Sequence, residues 1–190
     1  MIDHGARWEL DIIAECDALK MARRAVATKR SNPLKILRPY RGPGSRPGMM
    51  ISVITLQEAL DFEGALQRPR GLAVAFDAKT TCNPDRFDLK MICDAQLDYA
   101  SWRASFGALV GIYLQRRCSE TQRQLARYWL DLDDCARVAG LEHSRSANAV
   151  KRASIRWDEL EGFKLSGDEP TWLDGARRLS LALNLDRLQR

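Results

Sequence analysis

The chain has only two histidines, His4 and His143, and no Cys-x-x-Cys pair; its five cysteines, Cys16, Cys82, Cys93, Cys118 and Cys135, are odd in number and scattered. That pattern speaks against both a zinc site and a disulfide framework. Most of the thiols are expected to be small core residues. Long apolar runs are missing as well: nothing approaches the roughly 20 residues that cross a bilayer, so no membrane partner is expected. The N-terminus carries Asp3, Glu9 and Asp11 where a secretion signal would be basic and then apolar, which points to the cytoplasm. There is no internal repeat. At 190 residues the chain has room for one α/β domain with a proper core, and too little for two ordinary ones.

Acids are absent from two stretches. Between Asp17 and Glu58 the chain carries Lys20, Arg23, Arg24, Lys29, Arg30, Lys35, Arg38, Arg41 and Arg46 without one carboxylate, and from His143 to Trp157 it carries Arg145, Lys151, Arg152 and Arg156. One such run can be a solvated face; two suit a polyphosphate partner, because each neutralised phosphate releases condensed counterions. Candidate contacts are Lys29, Arg30, Lys35, Arg38, Arg41, Arg46, Lys151 and Arg152.

Helical spacing of Ile12, Ile13, Cys16 and Leu19 predicts a helix over about 5–24. Glu9 falls on the same stripe, either at its exposed margin in the first turn, where the helix dipole favours acids, or facing a partner. Ala25 to Lys29 reads as a strand. From Arg38 to Gly48 three prolines, three glycines and three arginines share eleven residues, which neither helix nor central strand tolerates. This is an exposed protrusion over about 35–56, and Met49 to Leu56 returns as extended chain. Leu89 to Phe106 reads as an amphipathic helix with Ile92, Ala95, Tyr99, Trp102 and Phe106 on one side. Ala108 to Leu114 reads as a strand buried on both faces, Ala126 to Leu130 as its neighbour, Asp133 to Ala139 as a short helix, and Thr171 to Leu188 as a closing helix. The sum is a small mixed sheet flanked by helices.

Asp61 to Leu66 and Leu72 to Lys79 read as a β-hairpin turning at Gln67 to Gly71. With the turn centred on Pro69, Asp61 and Asp77 lie eight residues to either side and face one another. Lys79 projects to the same face as Asp77, while Phe76 and Ala78 point to the core. Opposed like charges destabilise a sheet. A divalent cation would reverse that: Mg²⁺ takes oxygen ligands, uses one or two carboxylates and leaves room for substrate phosphates. Lys79 could then orient a water or stabilise developing charge; without an ion it simply bridges two surface acids. Gln96, one turn after Ile92, borders the apolar side of its helix, so its amide needs a partner, either backbone or the metal site.

These residues resemble a known family. Asp61-Phe62-Glu63-Gly64, Phe76-Asp77-Ala78-Lys79-Thr80-Thr81, Phe87-Asp88-Leu89-Lys90 and Asp94-Ala95-Gln96 are similar to the core of the RecU-type Holliday junction resolvases, of the PD-(D/E)XK nuclease superfamily. Gly5 with Trp8-Glu9, Ala25-Val26-Ala27-Thr28-Lys29 followed by Asn32-Pro33, and Ala153-Ser154-Ile155-Arg156-Trp157-Asp158-Glu159-Leu160 fit the same pattern in collinear order, from about Gly5 to Leu165. The resemblance implies a restriction-endonuclease-like α/β core with a stalk-like insertion, over 1–165, followed by a helical tail over 166–190. It implies a nucleoid-associated, Mg²⁺-dependent homodimer, with Mn²⁺ as a second candidate ion, that nicks four-way DNA junctions symmetrically. Asp61 and Asp77 map to the metal ligands, Lys79 to the catalytic lysine, and Glu9 and Gln96 to supporting roles, Glu9 also toward the metal. Two departures stand out: Ala95 occupies a place usually held by histidine, and Asp77 one often held by glutamate. The alternatives are a nuclease of the same superfamily acting on flaps or duplex, and a DNA-binding protein without catalysis.

Overall fold

The structure is a computed structural model that describes residues 4–30, 34–39, 50–54, 60–67, 71–121, 123–131, 153–167 and 170–182. Helix α1 (His4–Met21) leads into strand β1 (Ala25–Lys29). The turn between them places Arg23 at φ 53°, with Arg24 N donating back to Leu19 O at 2.9 Å, a helix stop that glycine usually provides. A two-stranded ribbon, β2 (Leu34–Pro39) and β3 (Met50–Ile54), follows where the protrusion was expected. Then come β4 (Phe62–Leu66), β5 (Ala73–Thr81) and β6 (Arg86–Asp88). After a 3₁₀ turn at Leu89–Met91 the chain enters α2 (Asp94–Ser105). It continues through β7 (Leu109–Arg117), β8 (Gln124–Asp131) and β9 (Ser154–Arg156), a 3₁₀ segment at Asp158–Phe163, and α3 (Trp172–Ala182).

The main sheet runs β1-β4-β5-β7-β8. Only the β5–β7 seam is parallel; the other pairs are antiparallel. This is the mixed sheet flanked by helices that the sequence predicts. Its first face packs on α1 and α3 through Trp8, Ile12, Phe62, Phe76, Tyr113, Trp129 and Trp172. Trp129 is wedged between two glycines: a Cβ on Gly111 or on Gly175 would stand 2.6 or 2.4 Å from its indole. The second face is divided. Over β5 and the start of β7 it meets α2, with Leu60, Ala75, Ala100 and Val110 in contact. Over β7 and β8 it is covered by the β6–β9 pair and the second 3₁₀ segment, around Phe87, Leu114, Tyr128, Ile155, Trp157 and Leu160.

The hairpin register is the expected one: Phe62 faces Phe76 and Ala65 faces Ala73, so the pairing centres on position 69. The strand over Ala108 to Leu114 is buried as read, and extends to Arg117. Three expectations need correction. The helix over Leu89 to Phe106 starts later, at Asp94, and its packed side is not the aromatic one: Trp102 is 52% and Phe106 73% exposed, whereas Ala100 is buried. A small side chain lets the helix sit close to the sheet, which a row of rings would prevent. Of the described cysteines only Cys16 is buried, Cys82, Cys93 and Cys118 being half-buried, although none forms a disulfide. The helices expected over Asp133 to Ala139 and beyond Ala182 lie outside the described residues. No described helix is long and apolar enough to cross a membrane.

Candidate active site

Asp61 immediately precedes β4, and Asp77 lies in the middle of β5. The hairpin register carries one residue past the last β4 pair, and Asp61 Oδ2 accepts a hydrogen bond from Ala78 N at 3.0 Å. That bond fixes the first carboxylate beside the second. Asp77 has its side chain 1% exposed, in a recess bordered by Leu60, Ile92, Leu97, Ala100 and Val110. Two residues on, Lys79 shares its face, and Nζ lies 2.5 Å from Asp77 Oδ2.

Gln96 reaches the same spot from the first turn of α2. Its Nε2 donates to Asp77 Oδ1 at 2.9 Å. Its Oε1 accepts from Cys93 N at 3.2 Å and from Lys79 Nζ at 3.5 Å. Both partners considered for this amide, backbone and acid, are therefore used. Asp77 Oδ2 is left without a hydrogen bond; the lysine approaches it as an ion pair, off the hydrogen-bonding direction. Burial pushes the Asp77 carboxyl well above the ordinary aspartate range, the Asp61 carboxylate adds to the rise, and Lys79 opposes it. One ammonium does not balance two crowded carboxylates in a dry recess.

A hard divalent cation fits this donor set. Among the described residues no group of three or more His, Cys, Asp or Glu is gathered closely enough to hold a metal. Two carboxylates are nonetheless what Mg²⁺ uses when waters and substrate phosphates complete its shell. Asp77 Oδ2, which has the Lys79 ion pair but no hydrogen bond, is an acceptor such an ion could use.

No model of a known protein family matches the chain, and no curated protein matches it either. Among solved structures, the 1.6 Å structure of Hjc from Archaeoglobus fulgidus, a Holliday junction resolvase, overlaps 85% of this chain and 95% of its own, at 13% identity and a TM-score of 0.44. An overlap that loose carries no argument, and the site rests on its own geometry.

The Glu9 carboxylate is bound by Lys29 on β1, and among the described residues it forms no three-acid group with Asp61 and Asp77. Lys29, expected to meet phosphate, is therefore already paired. So is Arg30, whose Nη1 lies 2.8 Å from Glu63 Oε2 and donates to Tyr99 Oη at 2.8 Å. Lys35 and Arg38 lie on β2 of the ribbon. Arg41, Arg46, Lys151 and Arg152 lie outside the described residues. The sequence reading missed the cluster around Glu63, which also accepts from Tyr99 Oη and meets Arg103 Nε at 3.7 Å. The signal was present in the spacing: Glu63 is two residues from Asp61 on one strand face, and Tyr99 one turn from Gln96.

Proposed function

We propose that the chain is a metal-dependent DNA endonuclease that resolves four-way junctions, as a homodimer, with Mg²⁺ or Mn²⁺ held by Asp61 and Asp77. The carrying observation is the convergence of Asp61, Asp77, Lys79 and Gln96 on one patch of the second sheet face, where two carboxylates share one ammonium. When bound, the ion would polarise a phosphodiester and make an attacking water more acidic. The protein's own groups do the rest. Ala78 N holds the Asp61 carboxylate in place. Gln96 ties down Oδ1 of Asp77 and leaves Oδ2 toward Lys79. Lys79, whose ammonium pairs with Asp77, would be the group to meet a phosphate oxygen, where it could orient the water or offset developing charge.

Junction preference is supported by the collinear resemblance to the RecU-type resolvases and by the β2–β3 ribbon, which occupies the place between first and second strands where that family carries its stalk. A junction has near two-fold symmetry, so a two-fold dimer presents one site to each opposed strand. The test is cleavage of synthetic four-way, flap and linear DNA with Mg²⁺, Mn²⁺ or chelator. Paired nicks in the four-way substrate, abolished by chelator and by Asp77→Asn, are expected. Preference for flaps or duplex would keep the chemistry and reject the substrate; binding without cutting would leave a DNA-binding protein.

A further inference from the structure

An open cleft of about 520 Å³ lies where β5 and β7 end, lined by Pro84, Asp85, Arg86, Arg116, Arg156, Trp157 and Asp158. Its three arginines come from three different strands, β6, β7 and β9, which the fold must bring together. In the parallel register Asp77, Lys79 and Thr81 pair with Ile112, Leu114 and Arg116, and side chains alternate along each strand. Arg116 therefore stands on the same sheet face as Asp77 and Lys79. From Lys79 to Thr81, which Arg116 faces, is about 7 Å at the usual strand rise.

Behind Asp77 the recess is apolar and closed by α2, whereas residues 78–81 of β5 are half-buried rather than buried, so the candidate active site is open in that direction. A polyanion seated at Lys79 continues over Thr81 into the cleft.

The arginines are prepared for such a ligand. Arg116 lies over the Trp157 ring, 4.9 Å from its centroid, and donates through Nη2 to Pro84 O at 2.9 Å; its buried Nε makes no hydrogen bond. The indole is itself fixed, stacked on Tyr128 and donating to Asn83 O at 3.0 Å. Arg86 and Arg156 are more than half exposed and meet Asp88 at 3.5 Å and Asp158 at 3.1 Å. Ion pairs that exposed contribute little, and phosphate oxygens are strong, bidentate acceptors for guanidinium.

We propose that this cleft is a phosphate-binding subsite for the DNA strand continuing from the scissile phosphate, with Arg86, Arg116 and Arg156 as its contacts and Trp157 as the platform that fixes Arg116. The position of the subsite rests on the proposed cutting site. Arginine at 86 and 116 was not among the cations that sequence patterning marked.

The test uses the full chain carrying Lys79→Ala, in chelator, so that binding is read apart from cutting. Arg86→Ala/Arg156→Ala is compared with its parent on oligonucleotides whose strand beyond the cutting position is either long enough to reach the cleft or trimmed short of it. On the long DNA the double variant is expected to weaken binding and to lower the slope of log affinity against log salt by close to two phosphates' worth, with no change on the trimmed DNA. Arg116→Lys, which keeps the charge but not the fork, is expected to fall between. Equal affinity and slope for parent and variant on both DNAs would overturn the subsite, as would equal losses on both. If the otherwise unmutated protein cuts no DNA yet the length-dependent slope change appears, the cutting site fails and the phosphate subsite stands.

Discussion

Among the described residues, Asp77 is buried and Glu15 half-buried, each beside a cation and one on each face of the sheet, and they are held differently. Glu15 lies between α1 and the sheet's first face, paired with Arg127, whose Nη1 also donates to Tyr113 Oη at 3.0 Å and to Pro170 O at 2.6 Å. Tyr113 in turn donates to Pro170 O at 3.0 Å. Arg127 also covers the Trp8 ring, 5.1 Å from its centroid. The Glu15 carboxylate, the Arg127 guanidinium and the Tyr113 hydroxyl there all have partners. Across the sheet, Asp77 has one oxygen held by Gln96, another left without a hydrogen bond, and a second acid beside it. Both carboxyls are pushed upward chiefly by burial. The lesson is that burial with a cation does not itself mark a site. The first arrangement is closed and structural; the second is left open to something positive.

The contrast can be broken most directly at Lys79. Lys79→Ala is expected to lower cleavage of junction DNA by about 10³-fold or more, equivalent to roughly 4 kcal/mol of transition-state stabilisation. Its urea midpoint should stay close to the parent's, because Asp77 can take up a proton once unpaired. A large stability loss with normal cutting would make Lys79 structural and erase the difference between the two acids.

Glu15→Ala should do the reverse. It strands a half-buried arginine, which costs about 3 kcal/mol of unfolding free energy, and leaves cutting by the folded fraction unchanged. Equilibrium urea unfolding followed by tryptophan fluorescence measures the loss; a midpoint equal to the parent's would show that the cluster around Arg127 holds nothing together.

Gln96→Ala is the next smaller effect. Residues that orient metal ligands are typically worth 10- to 100-fold, so metal-dependent cleavage should fall by about that much, with a raised metal requirement. Gln96→Glu should not rescue it, since an added carboxylate cannot donate to Asp77. Wild-type rates in Gln96→Ala would remove the glutamine from the site.

The smallest effect is a pH drift. Burial raises Glu15 from 4.5 to about 7, against the opposing pull of Arg127. A carboxyl raised in the folded state binds its proton more tightly there than when unfolded, so its stabilising contribution is complete below about pH 4.5 and is lost as pH climbs to about 7. In an Asp77→Asn background, stability should decline across that window, by less than Glu15→Ala costs, and Glu15→Gln should flatten the curve. A rise in stability over the same range would give the sign of the Glu15 shift the other way.

Much of this was readable in the sequence for a local reason. The hairpin closes over a short turn, so its register follows from alternation and the turn's centre, and with it the facing of Asp61 and Asp77 and the side on which Lys79 emerges. What escaped depends on contacts between distant segments. The apolar moment of α2 favoured Trp102 and Phe106 over Ala100, because hydrophobicity ranks side chains by size while close helix–sheet packing selects for smallness. Lys29 and Arg30 read as spare cations because their partners, Glu9 and Glu63, are supplied by other elements. The pairing of β6 with β9 links segments far apart in the chain, and neither three-residue strand has a period long enough to detect.

The single parallel seam of the sheet sets an order of assembly. The β4–β5 and β7–β8 hairpins each close over a few residues, whereas joining β5 to β7 must first gather the intervening crossover that contains β6 and α2. Chain-closure entropy falls on that step and on the β1–β4 pairing, which closes over a connection of similar length. The two aspartates belong to the local hairpin, but the glutamine that holds one of them arrives only with the crossover. The acids are thus brought together by a short-range closure and completed by a long-range one.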